Sequence, residues 1–526
     1  MFRILVTEPL AEEGLDLLRQ QGQVDLRTDL DAAALAQVVA GYEGLIVRSK
    51  TPVTEEIIAA ASRLTVIGRA GTGIDNIDLD AATRRGIVVV NAPYGNTVSV
   101  AEHTIGMMLA LARRIPWADY ALRQGRWEKG RCQGVQLRGK TLGLVGLGRI
   151  GTAVARRALA MEMQVIGYDP FVTPERAAQA GVRWVGWEEL LQVSDVVSLH
   201  LPENQQTRGM LGDRELGLMK PSAFLINCAR GGLVDEEALA QALQAGRLAG
   251  AALDVFKSEP PTGSPLLCCD NVVLTPHLAG STAEAQRDAA VDVARQVLDV
   301  LAGRMPEYPV NAPALAPEEL EKLGPYLDLA QRLGSFYAQV AGNHLHTVEV
   351  ACTGDVARQR MDMVLSAVLV GLLAATSEEP VNWINAQLLA QERGIAFGVR
   401  SEPLRSTAGW GNLIEVHLSH DSQEHVLAGT VLNGEPHIVQ IDGYWLDFVA
   451  RGLVLVSEHV EQPGILGRMG TVLGAGGINI NFVQVGRRER GGPGRMVLGL
   501  DDPLTPEVLA QVMSLPSIRT AKMVRL

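Results

Sequence analysis

The chain is poor in aromatic residues, which make up 4% of its 526 positions. Ala, Leu, Val and Gly dominate instead, as in α/β proteins whose helices and sheets meet through small side chains. Cysteine is scarce too: Cys132, Cys228, Cys268, Cys269 and Cys352 are too few and too irregular for a disulfide framework. No CxxC pair occurs, which excludes zinc-ribbon and thioredoxin-type readings, and a reducing cytoplasm is the expected location. Positive charge is in deficit, 47 Lys+Arg against 59 Asp+Glu, for a net charge of −12. That balance argues against non-specific nucleic-acid or anionic-membrane binding. An anionic substrate would need a local basic cluster against this background. Long apolar runs are missing as well. The most apolar stretch, 363–375, falls short of the roughly 20 residues a spanning helix needs and reads as a buried core helix. The N-terminal MFRILVTEPL is interrupted by Glu8 and Pro9, so no signal peptide is expected. Neither a tandem repeat nor a low-complexity tract is present.

What is there is a hydrophobic content of 47%, ample for several cores. At roughly 150 residues per domain the length predicts three or four. Residues 1–95 alternate strand-like runs (RILVT, GLIVRS, LTVIGRAG) with helical ones (AEEGLDLLRQ, TEEIIAAASR), which predicts a parallel sheet. Residues 97–113 read as one long apolar helix. A second strand series begins at Thr141: TLGLVGLG, MQVIGYDP, VVSLHLP, AFLINCARG, GAALDVF and NVVLTPH. An amphipathic helix then leads to MPEYPVNAPALAP, the clearest linker. Helices near 318–342 and 359–375 follow, with the alternating runs LIEVHLS, HVLAGTVL and HIVQIDGYWLDFV. The last 75 residues or so read β, α, β, β, α, β, the order of small ferredoxin-like regulatory modules.

The strongest local signal is Gly146-Leu-Gly148-Arg149-Ile150-Gly151, placed after the strand TLGLV and before a helix. The first Gly permits a tight turn, the second lets a pyrophosphate approach the backbone, and the third permits close helix–strand packing. Asp169 ends the next strand, where a carboxylate meets the adenosine ribose hydroxyls and repels a 2′-phosphate, so NAD is favoured over NADP. Gly134–Thr141 matches a Walker A pattern by letters but precedes its strand, so the match is accidental. Arg230, Glu259 and His277 each follow a later strand, at the edge where the carboxyl ends of a parallel sheet face the ligand crevice. This trio suits oxidation of a 2-hydroxy acid. Arg230 would clamp the carboxylate, His277 would take the hydroxyl proton, and Glu259 would hold the imidazole. His344/His346 and His417/His420/His425 lack the geometry of a metal site, and no metal is expected.

The run Gly68–Asp78 (GRAGTGIDNID), GLGRIG, NCARGG, ALDVF followed by EPP, and the His277 run together resemble the D-2-hydroxyacid dehydrogenase family over roughly residues 1–311. The tail is similar to that of its long, phosphoglycerate-oxidising members. The resemblance implies a Rossmann-type NAD domain (97–288) inserted in a flavodoxin-like substrate domain (1–96 and 289–311). An α+β intervening domain (313–450) and a ferredoxin-like ACT domain (452–526) follow. It implies Arg230, Glu259 and His277 as the catalytic trio, and NAD contacts at Thr72, Gly146, Gly148, Arg149, Ile150, Gly151, Asp169, Cys228, Ala229, Arg230, Asp254, His277, Leu278, Ala279 and Gly280. Substrate contacts are implied at Arg48, Ser49, Ala70, Gly71, Thr72, Gly73 and Asn96, with Arg48 on the phosphate, supported by Lys129 or Arg131. The implied reaction is NAD-dependent oxidation of 3-phospho-D-glycerate to 3-phosphohydroxypyruvate, the first step of L-serine biosynthesis. A homo-oligomer, tetrameric in the family, and a serine effector at His459, Glu461 and Asn479 are further implications.

Two features depart from the family pattern. Leu278-Ala279-Gly280 stands where Leu-Gly-Ala is usual, and Glu461 occupies the acidic position usually held by Asp. The alternatives are a glyoxylate or hydroxypyruvate reductase, which would match only the first 311 residues or so, and a non-catalytic NAD-sensing scaffold.

Overall fold

The computed structural model describes residues 2–312, 317–341, 345–377, 380–402, 410–420 and 423–526. Four sheets organise them. The first is a five-stranded parallel sheet in the order Gly22–Leu26, Phe2–Val6, Gly44–Val47, Val66–Arg69, Val88–Asn91, the flavodoxin-like 2-1-3-4-5 arrangement. Its central strands are mostly apolar because helices cover both faces. One face is covered by Glu12–Arg19 and, beside it, Ala283–Leu301, which returns from the far side of the next unit to pack on Gly14 and Gly68; the other is covered by Ala32–Val38, Glu55–Ala60 and Leu79–Arg84. A Cβ on Gly14 would lie 2.8 Å from Ala290 and one on Gly68 2.6 Å from Val293, so both glycines are contact points.

The helix Thr97–Ala112 leaves this lobe, and a left-handed Arg114 (φ 52°) turns the chain into a second helix, Ile115–Arg123. The seven-stranded parallel sheet follows, ordered Val272–Leu274, Gly250–Leu253, Phe224–Asn227, Val196–Leu199, Thr141–Val145, Gln164–Tyr168, Arg183–Trp184. Its direction of winding reverses between Thr141–Val145 and Val196–Leu199, the switch point where doubly wound sheets open a crevice.

The stretch read as a linker is pinned at its start. Asn311 accepts from the Val89 amide (2.8 Å) and donates to the Ile87 carbonyl (2.8 Å), closing the edge of the five-stranded sheet; 313–316 lie outside the described residues. Beyond it, Pro317–Ala341 packs against Met361–Ala374, the apolar run, which lies in the core as expected. A six-stranded sheet follows, in the order Ala396–Glu402, Thr347–Thr353, Leu413–His420, Gln423–Leu432, Glu435–Ile441, Tyr444–Val449. The run HIVQIDGYWLDFV is two strands, not one, because Asp442 and Gly443 both take positive φ (48° and 80°) and make a hairpin turn. The last unit has the order Ile480–Arg487, Pro493–Leu500, Leu453–Val460, Ile518–Arg525, with helices Ile465–Ala475 and Pro506–Met513. This is the ferredoxin-like order. It shares one core with the six-stranded sheet, where Phe448 stacks on Phe482 (5.8 Å), and Arg495 joins the two by pairing with Asp442 and Glu458 (2.6 Å each).

Candidate active site

The crevice lies between the two parallel sheets, and both supply strand-end loops to it. On the seven-stranded side, Gly146 has φ 96° and sits against the His200 carbonyl, and Gly151 lies so close to the Gly146 carbonyl that a Cβ would come within 2.1 Å of it. Gly148 differs: a Cβ there would meet no protein atom within 4 Å. Two of the three glycines therefore shape the turn, and the third leaves the backbone open, as a dinucleotide requires. Asp169 is buried at the next strand's end. One of its oxygens accepts from the Leu147 amide of the glycine turn (2.9 Å) and the other from the Phe171 amide (2.9 Å). Arg149 leans over the Tyr94 ring of the opposite lobe, 4.3 Å from its centroid, and Ile150 packs into the lobe core. Cys228 is buried, and that burial pushes its thiol up to about 12, so it stays neutral.

Two of the trio, Glu259 and His277, pair directly, while Arg230 reaches toward the other lobe. Glu259 Oε2 lies 2.7 Å from His277 Nδ1, and its other oxygen accepts from the Phe256 amide (3.1 Å). Both side chains remain partly exposed, so the second ring nitrogen of His277 is left for a ligand. His277 itself has φ 55°. Arg230 reaches across to the five-stranded lobe, where its Nε donates to Asp75 (3.1 Å) and its Nη2 occupies the space a Cβ on Gly73 would need. Its backbone is fixed by Asn227, whose amide donates to the Arg230 carbonyl (2.9 Å) and whose carbonyl accepts from the Ala229 amide (3.0 Å).

On the five-stranded side, Thr72 donates to Asn96 (2.8 Å), and Gly280 lies against Asn96. Arg48 lines a cavity of about 140 Å³ with Pro9, Leu10, Ala11, Ala70 and Gln286, and donates to the Pro9 carbonyl (3.2 Å). Ser49 is exposed in the turn that buried Glu8 organises by accepting from the Arg48, Lys50 and Thr51 amides. Neither Lys129 nor Arg131 lines that cavity, and Arg131 pairs instead with Glu128 on its own loop (3.9 Å).

Three residues missed in the sequence belong here. Arg69 lies inside the GRAGTG run with its Nε buried and without a partner, its Nη1 where a Cβ on Gly71 would sit; burial and the neighbouring Arg230 push it down to about 10. Its place at the end of the strand Val66–Arg69 was the signal available. Asp75 and His103 are the others. Asp254 lies fully buried beneath the His277 run, where it accepts from the Leu278 (2.7 Å) and Ala279 (2.8 Å) amides.

His459, Glu461 and Asn479 are not gathered. His459 is buried with both ring nitrogens unpartnered, Glu461 pairs with Arg487 and accepts from the Gly491 amide, and Asn479 donates to Asp501 (2.6 Å). Glu461 follows the Val460 end of its strand and Asn479 precedes the Ile480 end of another, and the strand register sets these at opposite ends of the sheet.

Residues 105–279 match the family model described as the D-isomer specific 2-hydroxyacid dehydrogenase NAD binding domain, and residues 322–442 match the D-3-phosphoglycerate dehydrogenase intervening domain. D-3-phosphoglycerate dehydrogenase of Archaeoglobus fulgidus is 43% identical over the full length of both chains. The chain belongs to the D-3-phosphoglycerate dehydrogenase family. The Bacillus subtilis relative of the same name is 38% identical, again over both full lengths. Among solved structures, the TT0316 protein of Thermus thermophilus matches 59% of this chain and 99% of its own (40% identity, TM-score 0.55). D-lactate dehydrogenase of Aquifex aeolicus, solved with NAD and lactic acid, matches 59% and 100% (30% identity, TM-score 0.54). As a member of this family the chain is an NAD-dependent oxidoreductase of the D-2-hydroxyacid class, with the mixed α/β fold expected. Among the described residues no helix is long and apolar enough to cross a membrane.

Proposed function

We propose that the chain oxidises 3-phospho-D-glycerate to 3-phosphohydroxypyruvate with NAD, the first step of L-serine biosynthesis, in the cytoplasm. The observation that carries the reading is the Glu259–His277 pair at 2.7 Å, opposite Arg230, in a crevice whose other wall holds Arg69 and Arg48. Bound at Gly148, the nicotinamide cofactor supplies the hydride acceptor. His277 takes the substrate's hydroxyl proton on Nε2, because Nδ1 is engaged by Glu259, which stabilises the imidazolium that forms. Arg230 exchanges Asp75 for the substrate carboxylate, where its planar fork makes two parallel bonds. Arg48 meets the phosphate, with Arg69 behind it adding positive potential to an otherwise acidic protein.

We divide the chain into a substrate lobe (1–96 and 289–311), a cofactor lobe (97–288), an intervening unit (313–450) and an ACT unit (452–526). Closure of the two lobes excludes water from the transfer. The ACT unit binds serine through His459, Glu461 and Asn479 in a homo-tetramer. Since one chain sets Glu461 and Asn479 at opposite ends of its sheet, a site using both combines two copies.

The test is NADH-linked absorbance with 3-phosphohydroxypyruvate, hydroxypyruvate and glyoxylate, each with and without serine. Strong preference for the phosphorylated acid supports the reading. Preference for the others transfers the chain to a reductase activity, and indifference to serine removes the effector.

A further inference from the structure

The backbone of His277 stands in the left-handed region, φ 55°, which a non-glycine residue adopts only when its surroundings enforce it. The enforcement is visible. Asp254, fully buried, accepts from the Leu278 amide (2.7 Å) on Oδ1 and from the Ala279 amide (2.8 Å) on Oδ2, and its carbonyl accepts from the His277 amide (2.9 Å). Thr275 adds its hydroxyl to Oδ1 (2.5 Å). Although burial opposes ionisation, hydrogen bonds from His103, Thr275, Leu278 and Ala279 hold this carboxyl below the usual range, so the clamp carries its charge.

The clamp has a further member outside the loop. His103 Nε2 lies 3.3 Å from Asp254 Oδ1 and 3.2 Å from Thr275 Oγ1. Thr275 has spent its hydrogen on Asp254, so Nε2 carries the hydrogen that closes the triangle. His103 sits on the helix Thr97–Ala112, which joins the two lobes, and the spacing of its contacts is informative. Asn96 accepts from Thr72 of the substrate-side loop (2.8 Å). Ser99 meets Thr282, the cap of the returning helix (2.7 Å), and His103 meets the floor under His277. Positions 96, 99 and 103 are three and four apart, so they form one stripe along the helix. A single rigid element thus touches the substrate loop at one end and the support of the proton acceptor one to two turns later.

We propose that His103 is a positioning residue for the reaction. It holds the Asp254–Thr275 support that sets the His277 ring, and it ties that support to the helix that anchors the substrate loop. A shift in how the substrate loop seats on Asn96 is thereby passed to the proton acceptor, His103 acting through Asp254 and Thr275 rather than on the reacting atoms. The inference rests on the reading of His277 as the acid–base group.

The experiment uses the full chain with His103→Ala, His103→Gln and Thr275→Val, measuring kcat and KM for the 2-keto acid the wild type prefers, NADH affinity by fluorescence, and thermal unfolding. The expected result is a fall in kcat of about 10- to 100-fold in His103→Ala, from loss of reactive alignment, with NADH affinity and KM little changed. Gln places an amide N–H near the former Nε2–H and should restore most of the rate, while Thr275→Val should lose rate like His103→Ala. Unchanged kcat in His103→Ala overturns the proposal. So does a loss confined to KM or NADH affinity, or a Gln variant as slow and as heat-labile as the Ala one. If the wild type instead prefers an unphosphorylated keto acid, the substrate reading fails, yet the variant-to-wild-type ratio on that acid still decides the role of His103. A wild type that turns over no 2-keto acid removes the reaction and the proposal with it.

Discussion

The two parallel lobes follow the same plan, strand, glycine loop, helix, yet use their glycines for opposite ends. In the cofactor lobe Gly148 leaves open space in front of the backbone, while Gly146 and Gly151 are pressed against main-chain carbonyls. In the substrate lobe Gly71 and Gly73 leave no space, because the guanidinium groups of Arg69 and Arg230 fill it. One loop is cleared for a ligand that reads backbone amides, and the other for the protein's own cations. A glycine motif alone does not say which; the charged residues packed against it do. Gly73 lies against Arg230, a residue of the other lobe, so the loop meets the proposed trio at that side chain.

The comparison can be broken most severely at the trio. Replacing His277 by Ala should lower kcat by about 10²–10⁴-fold while NADH binding, measured by fluorescence, persists. Gly73→Ala should be nearly as damaging in kcat/KM, by about 10²-fold, because its Cβ would sit 2.2 Å from the Arg230 Nη2 and push that side chain off the carboxylate site. Since the displaced atom is the end of a flexible side chain, thermal stability should barely change. Gly151→Ala presses instead on a main-chain carbonyl, so it should cost about 1–3 kcal/mol of stability along with NADH affinity, whereas Gly148→Ala should spare stability and weaken NADH alone. Isothermal titration and thermal unfolding of the pair separate the two roles. Replacing Arg48 by Ala should raise KM for phosphorylated acids far more than for unphosphorylated ones; equal losses on both would remove it from the phosphate. The smallest effect concerns the thiols. Exposed Cys268 should alkylate readily while Cys228, whose thiol burial pushes up to about 12, should not, as mass spectrometry would show.

The cofactor half of the site was legible because its chemistry is local: the glycines, the strand before them and Asp169 lie within one β-α-β unit, and spacing conveys geometry. Arg230, Glu259 and His277 could be picked out because each follows a strand of one sheet. Arg69 was not, since its meaning depends on Arg230 and Arg48 approaching it from elsewhere. Asp75 and His103 were missed for the same reason, each acquiring its role from a partner more than 150 positions away. In the fold, the strands Gly22–Leu26 and Arg183–Trp184 escaped notice because edge strands carry few apolar residues. The hairpin at Asp442-Gly443 escaped because apolar residues continue on both sides of it.

Arg69 carries one more consequence. Its Nε is buried and has gained no acceptor in the protein. On the function proposed above, an anionic substrate in the cleft would add to the negative charge that Asp75 and Glu8 already set near it. An acid filling the cleft binds only the folded chain, so heat resistance should climb with its concentration. By this route the enzyme's lifetime is linked to its own supply: abundant phosphorylated acid protects the folded form, and scarcity leaves it more open to unfolding and proteolysis.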